Sequence, residues 1–179
     1  GAHLFHTNSS RVWEYVNRWT EWTPYEHEVM AKVGETLVPV PVNRDTVNAL
    51  FGAELASEEE MEEWLARERI DYGRPPRNAK EMVLSRLGER LYELLFRWYT
   101  KKQWAKDPEE LDSEVTARIP VRNNTDGRYF SDVYQALPRY GYTKMFEKMF
   151  DNPLITVLVD TDYFDVRDKM SCNVTYFTG

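Results

Sequence analysis

The sequence predicts an α+β fold in which a helical-bundle insertion packs against a mainly antiparallel β-sheet. Three observations carry that expectation. Between residues 27 and 42 apolar and polar side chains alternate as they do in strands. From 43 to 115 the apolar spacing becomes helical, with capping residues at the expected starts. Beyond 116, extended patterns return. Strands, then helices, then strands again is an α+β order, not the alternation of a parallel α/β sheet.

Each element has its own signal. Asn8, Ser9 or Ser10 can cap a helix that carries Val12, Trp13, Val16 and Trp19 on one side, with Thr23-Pro24 as its stop. His27, Val29, Ala31 and Val33 alternate with Glu28, Met30 and Lys32, Gly34 turns the chain, and Thr36 to Val42 run back. Pro39 and Pro41 cannot donate ladder hydrogen bonds, so the second strand is expected at an edge or lining a cleft. Asn43 or Asp45 starts a short helix that ends near Gly52. Ser57 with Glu60 is a capping box, and Asn78 with Glu81 starts the next helix after a loop at 71–76. A long amphipathic stretch follows, from Leu91 to Tyr99. Asp107-Pro108-Glu109-Glu110 is another helix start, with the proline at the first helical position. Residues 116–130 read as extended, broken by a turn at 123–127. Gly141 precedes a helix with Met145, Phe146, Met149 and Phe150. Leu154 to Val159 and Asn173 to Phe177 read as strands.

The charge balance narrows the function. The chain has 23 basic and 30 acidic residues in 179, a net charge of −7, so a general attraction to nucleic acid or an anionic membrane is not expected. No apolar run approaches the roughly 18 residues of a membrane span, and no signal peptide is expected. Cys172 is the single cysteine, which rules out an internal disulfide and a four-thiolate zinc site and fits a reducing cytoplasm. His3 and His6 form an H-x-x-H pair without evident further ligands, so no metal is expected. There is no G-x-S-x-G, no P-loop and no G-x-G-x-x-G. The acidic run Glu58-Glu59-Glu60 sits in a helix's first turn, where it complements the helix dipole. Both chain ends read as cuts, so a piece of a longer protein is expected.

Two segments carry candidate chemistry. Residues 96–104, Phe96-Arg97-Trp98-Tyr99-Thr100-Lys101-Lys102-Gln103-Trp104, gather aromatic rings and three cations with a hydroxyl and an amide. With Phe96, Trp98, Tyr99 and Trp104 the rings number four, and the segment forms either a helix end with core contacts or a stacking platform for a base or sugar. Residues 118–129 hold Arg118, Arg122 and Arg128 with Asp126 as their opposing acid. These are either surface arginines on a hairpin or guanidinium forks for a diphosphate.

Five motifs then resemble the UDP-galactopyranose mutase family, bacterial type. Gly1-Ala2-His3-Leu4-Phe5-His6-Thr7-Asn8 is similar to its flavin-side segment, and Leu37-Val38-Pro39-Val40-Pro41-Val42-Asn43 to its LVPIPIN strand. Tyr99-Thr100-Lys101-Lys102-Gln103-Trp104 matches Y-T-x-K-Q-W. Thr116-Ala117-Arg118-Ile119-Pro120-Val121-Arg122 with Arg128-Tyr129-Phe130 resembles the mobile-loop and diphosphate region, and Gly141-Tyr142-Thr143 a further short motif. The family interconverts UDP-galactopyranose and UDP-galactofuranose through an adduct between the sugar and N5 of reduced FAD.

What the resemblance implies is specific. Tyr99 would stack on uracil, with Phe96 and Thr100 beside it. Trp104 and Arg118 would belong to the mobile loop, Arg118 closing on the diphosphate and Tyr129 donating to a phosphate. Asn43 falls at an active-site asparagine. His3, Phe5 and His6 lie in the cofactor-lining segment, with His3 and His6 as the flavin-side catalytic candidates. Residues 1–43 and 116–179 would form the sheet-containing part, with 1–8 facing the flavin, and 44–115 the helical bundle. The departures are the missing glycine-rich loop, Leu95 in place of one phenylalanine of a pair, and the family's later segment, which supplies a second substrate arginine. The chain is therefore expected to be the central substrate-binding segment, binding no FAD by itself and inactive alone. Its full-length parent is expected to be a cytoplasmic, homodimeric enzyme of galactofuranose and cell-wall biosynthesis, with UDP-galactose and UDP as ligands. The alternatives are a uridine-nucleotide-binding module without catalysis, or a mutase for another UDP-sugar.

Overall fold

A computed structural model describes residues 3–178. In chain order, β1 (Phe5–Thr7), α1 (Ser10–Val16) and β2 (Trp22–Pro24) precede a hairpin of β3 (Val29–Val33) and β4 (Thr36–Val40). Helices α2 (Arg44–Phe51), α3 (Glu58–Glu68), α4 (Ala79–Leu91) and α5 (Arg97–Trp104) follow, the last two joined through a π-helical turn at Tyr92–Phe96. Short α6 (Glu114–Ala117), β5 (Tyr134–Pro138), α7 (Gly141–Phe150) and α8 (Tyr163–Val166) complete the chain. The fold is α+β with antiparallel pairing of β3 with β4 and of β1 with β5.

Packing groups the chain into two compact units. One holds the residues up to Asn8 with Pro24–Ala136, the other Ser9–Thr23 with the residues from Leu137 on. In the first unit, β1 pairs with the start of β5, His6 opposite Gln135. The β3–β4 hairpin sets Val29 opposite Val40 and Val33 opposite Thr36, with Gly34 turning the chain at φ 59°. The helices start where their caps allow. Asn43 accepts the Thr46 amide at 3.0 Å while the Thr46 hydroxyl accepts the Asn43 amide, and Gly52 ends α2 in a left-handed conformation. Ser57 and Glu60 cap α3 in the same reciprocal way, and the Asn78 side chain caps α4 by accepting the Glu81 amide.

The core of this unit is formed by Val42, Val47, Met61, Leu65, Leu87 and Leu91 with the ring of Tyr92. Burying each such large apolar side chain stabilises the fold by about 1.5–3 kcal/mol. Arg90 adds a link across α2, α3 and α4. Its guanidinium lies 4.5 Å from the Phe51 ring centroid and 5.3 Å from that of Trp64, and it binds Glu68 through two hydrogen bonds. Gly88 interrupts α4 at φ 77°, where a β-carbon would overlap the Glu68 carbonyl. After β4 the Val40–Pro41 bond is cis, and Val42 bridges Val121, with the Arg122 amide donating to the Val42 carbonyl at 3.0 Å.

In the second unit, the end of β5 lies beside β2. Ser9 caps α1, Trp13 and Trp22 pack with ring centroids 5.2 Å apart, and Arg139 pairs with Glu21. Along α7 the Phe146 and Phe150 rings stack 5.8 Å apart.

Three sequence expectations are corrected. The segment from 116 is not extended at its start, because Thr116 and Ala117 both donate to the Ser113 carbonyl and close a helical turn. Residues 154–159 and 173–177 are irregular and exposed, with Leu154 93% exposed. An apolar run becomes a strand only where a neighbouring strand completes its ladder and a second layer covers it, and neither is supplied to these runs among the described residues.

Candidate functional site

The first unit contains a cavity of about 410 Å³, within the range of small-molecule sites. One wall is the hairpin. The two-residue strand period places Val29 and Ala31 on the same face, and the antiparallel register brings Val40 beside them. A second wall comes from the π-helical turn and the start of α5, with Leu95, Phe96 and Tyr99. A π-turn adds a residue per turn and re-aims the side chains that follow, which is why such turns recur at functional sites. Ile119, Tyr129 and Phe130 close the cavity with His27.

Phe96 is 4% exposed and Tyr99 is 55% exposed, so one ring belongs to the buried lining while the other stands at the opening. The third wall is held by aromatic contacts. The Tyr129 amide donates to the His27 carbonyl at 2.6 Å, and their rings meet edge-on at 6.0 Å. Tyr129 and Phe130 are also edge-on, at 5.0 Å. Behind them, His6 stacks on Phe130 at 3.8 Å, and its Nδ1 lies 2.9 Å from an Asp132 carboxylate oxygen. Apolar walls with aromatic faces suit a flat conjugated ring, and the His27, Tyr99 and Tyr129 side chains add polar atoms for orienting it.

The three arginines divide. Arg128 makes a two-point contact with Asp126, both distances 2.9 Å, and pairs with Glu26 at 3.1 Å. That contact holds the Asp126 carboxyl down at about 2 and pushes the Arg128 guanidinium up. Arg122 points its Nη1 at the carbonyls of Asp126 and Arg128, clamping the loop between them. Arg118 forms no ion pair among the described residues; its guanidinium lies over the Trp104 ring. The local cation excess legible in the sequence is thus consumed inside the loop at two of three positions.

The other candidate residues have distinct places. Phe96, Tyr99 and Tyr129 line one cavity. Thr100 is buried one position beyond Tyr99. Trp104 and Arg118 are adjacent to each other, and Arg118 precedes the cavity residue Ile119. Asn43 is fully buried, its carboxamide oxygen used by the α2 cap and its Nδ2 without a hydrogen-bond partner. Phe5 and His6 lie on β1, and His3 is exposed just before it. The sequence reading did not assign His27, Ile119 and the hairpin valines to the site. His27 was legible only as one apolar-face position of a strand; for Val40 the flanking Pro39 and Pro41 were the local signal, since they mark the second strand as an edge or a cleft lining.

Comparison with known proteins follows the same lines. Residues 94–179 match the UDP-galactopyranose mutase family. A probable UDP-galactopyranose mutase of Klebsiella pneumoniae is 34% identical over 98% of this chain and 46% of its own length. A dTDP-fucopyranose mutase of Escherichia coli is 35% identical over 87% of this chain and 41% of its own length. A UDP-galactopyranose mutase of Mycoplasma pneumoniae is 27% identical over 87% and 40% respectively. The chain therefore spans a little under half the length of the curated relatives it matches.

Proposed function

Because the chain belongs to the UDP-galactopyranose mutase family, we propose that it is the substrate-binding portion of an FAD-dependent isomerase that interconverts UDP-galactopyranose and UDP-galactofuranose. The observation that carries this reading is the convergence of Phe96, Tyr99 and Tyr129 on one apolar cavity. The uracil ring enters the cavity and stacks on Tyr99 over the buried Phe96, with Thr100 supporting that turn of α5. The diphosphate lies toward Arg118, Trp104 and Tyr129. Two parallel N–H donors of Arg118 match two phosphate oxygens, and excluding water around them strengthens the contact. Asn43 can offer a ligand only its amide nitrogen, since its oxygen is engaged in the cap.

FAD belongs to this reading through the family alone, with His3, Phe5 and His6 on its side. Supplied by the rest of a full-length protein, it would provide the nucleophile for the sugar. The residues present do not make an FAD site by themselves: β1 passes into α1 through Asn8 and Ser9, without a glycine-rich turn for a pyrophosphate. The step at the anomeric carbon is accordingly not assigned to these residues. Their part is to bind and orient the nucleotide. A full-length protein of this kind would be a cytoplasmic homodimer.

Calorimetric titration of UDP into this chain tests the reading. Tyr99→Ala removes a stacking face worth about 1–3 kcal/mol per base, so affinity should fall roughly 5- to 150-fold. Unchanged affinity would remove the cavity as the base site. The Escherichia coli relative's name favours one second reading, a thymidine diphosphate sugar as substrate. Titration of dTDP beside UDP separates the two.

A further inference from the structure

Arg86 lies on α4, 33 residues before Ile119 in sequence, yet its guanidinium reaches the backbone there. Its Nη1 donates toward three carbonyls, those of Ile119 at 2.9 Å, Ala117 at 3.1 Å and Thr116 at 3.4 Å. The carbonyls of Ala117 and Ile119 flank Arg118 on either side. One half-buried cation therefore holds the peptide groups both before and after the arginine that stands over Trp104.

Arg86 is not there for an ion pair. Among the described residues it forms none, and its neighbour Arg69 is committed to Glu62. Burial and the adjacent Arg69 charge both push the Arg86 guanidinium down. A charged group kept in that position needs strong acceptors, and the convergent carbonyls supply them. Without it the Ala117 and Ile119 carbonyls after α6 would lose this donor.

We propose that Arg86 is a positioning residue: through the carbonyls on both sides of Arg118 it sets the backbone that presents Arg118 and Ile119 to a nucleoside diphosphate. This inference rests on the binding reading above. It assigns Arg86 no contact with the ligand. After α6 the backbone is irregular, with Arg118 exposed and Ile119 buried; the Ile119 amide donates to the Thr116 carbonyl, and Arg86 is the side chain that ties the carbonyls around Arg118 to the helical layer.

The test is a double-mutant cycle on this chain, read by calorimetry with UDP and with uridine. Arg86→Gln should lower UDP affinity roughly two- to tenfold, the low end of coupling within one hydrogen-bond network. Uridine affinity should fall less, because the phosphate arm is absent. In an Arg118→Ala background, Arg86→Gln should lower UDP affinity no more than it lowers uridine affinity. Arg86→Lys should give an intermediate loss, since one ammonium keeps the charge but not the planar fork; it also serves if the glutamine variant does not fold, as judged by thermal melting. Equal UDP losses with and without Arg118 would overturn the inference, as would full UDP affinity in a folded Arg86→Gln. Binding that needs Arg118 but ignores Arg86 sinks this inference alone. No UDP binding by the unaltered chain sinks the binding reading, and this one with it.

Discussion

The Arg118 guanidinium carbon lies 6.0 Å from the centroid of the Trp104 ring. At an exposed site that contact contributes about 0.5–1 kcal/mol, too little to hold the side chain against a better partner. A diphosphate is such a partner. The pair places a cation and an indole face beside the segment that enters the cavity at Ile119.

Arg118→Ala should therefore weaken UDP binding more than Arg122→Ala. A lost charge-assisted hydrogen bond is worth about 1.5–3 kcal/mol, and the exposure of Arg118 points to the lower half, roughly 10- to 40-fold. Arg118→Lys should not fully restore affinity. Arg122→Ala should act on stability instead, since it leaves the Asp126 and Arg128 carbonyls without their donor. Calorimetry and thermal melting of the variants separate the two effects, and equal UDP affinities would put the phosphate on another residue.

Gly88→Ala should destabilise the first unit by about 2 kcal/mol or more. Two costs add there: a left-handed backbone and an overlap of the new β-carbon with the Glu68 carbonyl, which is backbone and cannot swing aside. Urea unfolding reads this directly. An unchanged midpoint would mean that α3 and α4 can separate without loss.

Asp126 should carry a distinct acid signature. Its carboxyl is lowered from 3.8 to about 2, first by hydrogen bonding to Arg128. A depressed acid contributes stability that is present above its unfolded value and lost as pH falls through its folded value. The stability gap between the unaltered chain and Asp126→Asn should hold at neutral pH and shrink as pH drops from about 4 to 2. Chemical denaturation at several pH values measures it; a gap that persists unchanged at pH 2 would contradict the Arg128 pairing.

Some of this protein was determined by short stretches of sequence. Asn43 with Thr46, Ser57 with Glu60 and Asn78 with Glu81 start helices where the sequence predicts, because a cap is a hydrogen bond across three residues. Gly34 and Gly52 act as expected for the same local reason. The ring-rich segment 96–104 was legible as either a helix end with core contacts or a stacking platform; Phe96 joins the core, and Phe96 and Tyr99 line a cavity.

Tertiary structure alone decided what each charge and each apolar run became. Arg118, Arg122 and Arg128 look alike in sequence. They part because Asp126, Glu26 and two backbone carbonyls reach the latter two and leave Arg118 over an indole. His27 and Ile119 became cavity walls only when segments some ninety residues apart met, and no local periodicity encodes that meeting. Residues 154–159 have strand-like composition and remain irregular, because a strand is made by the neighbour that completes its hydrogen bonds. Local hydrogen bonds are written within a turn of chain; burial, pairing and the destination of a charge depend on which distant residues arrive.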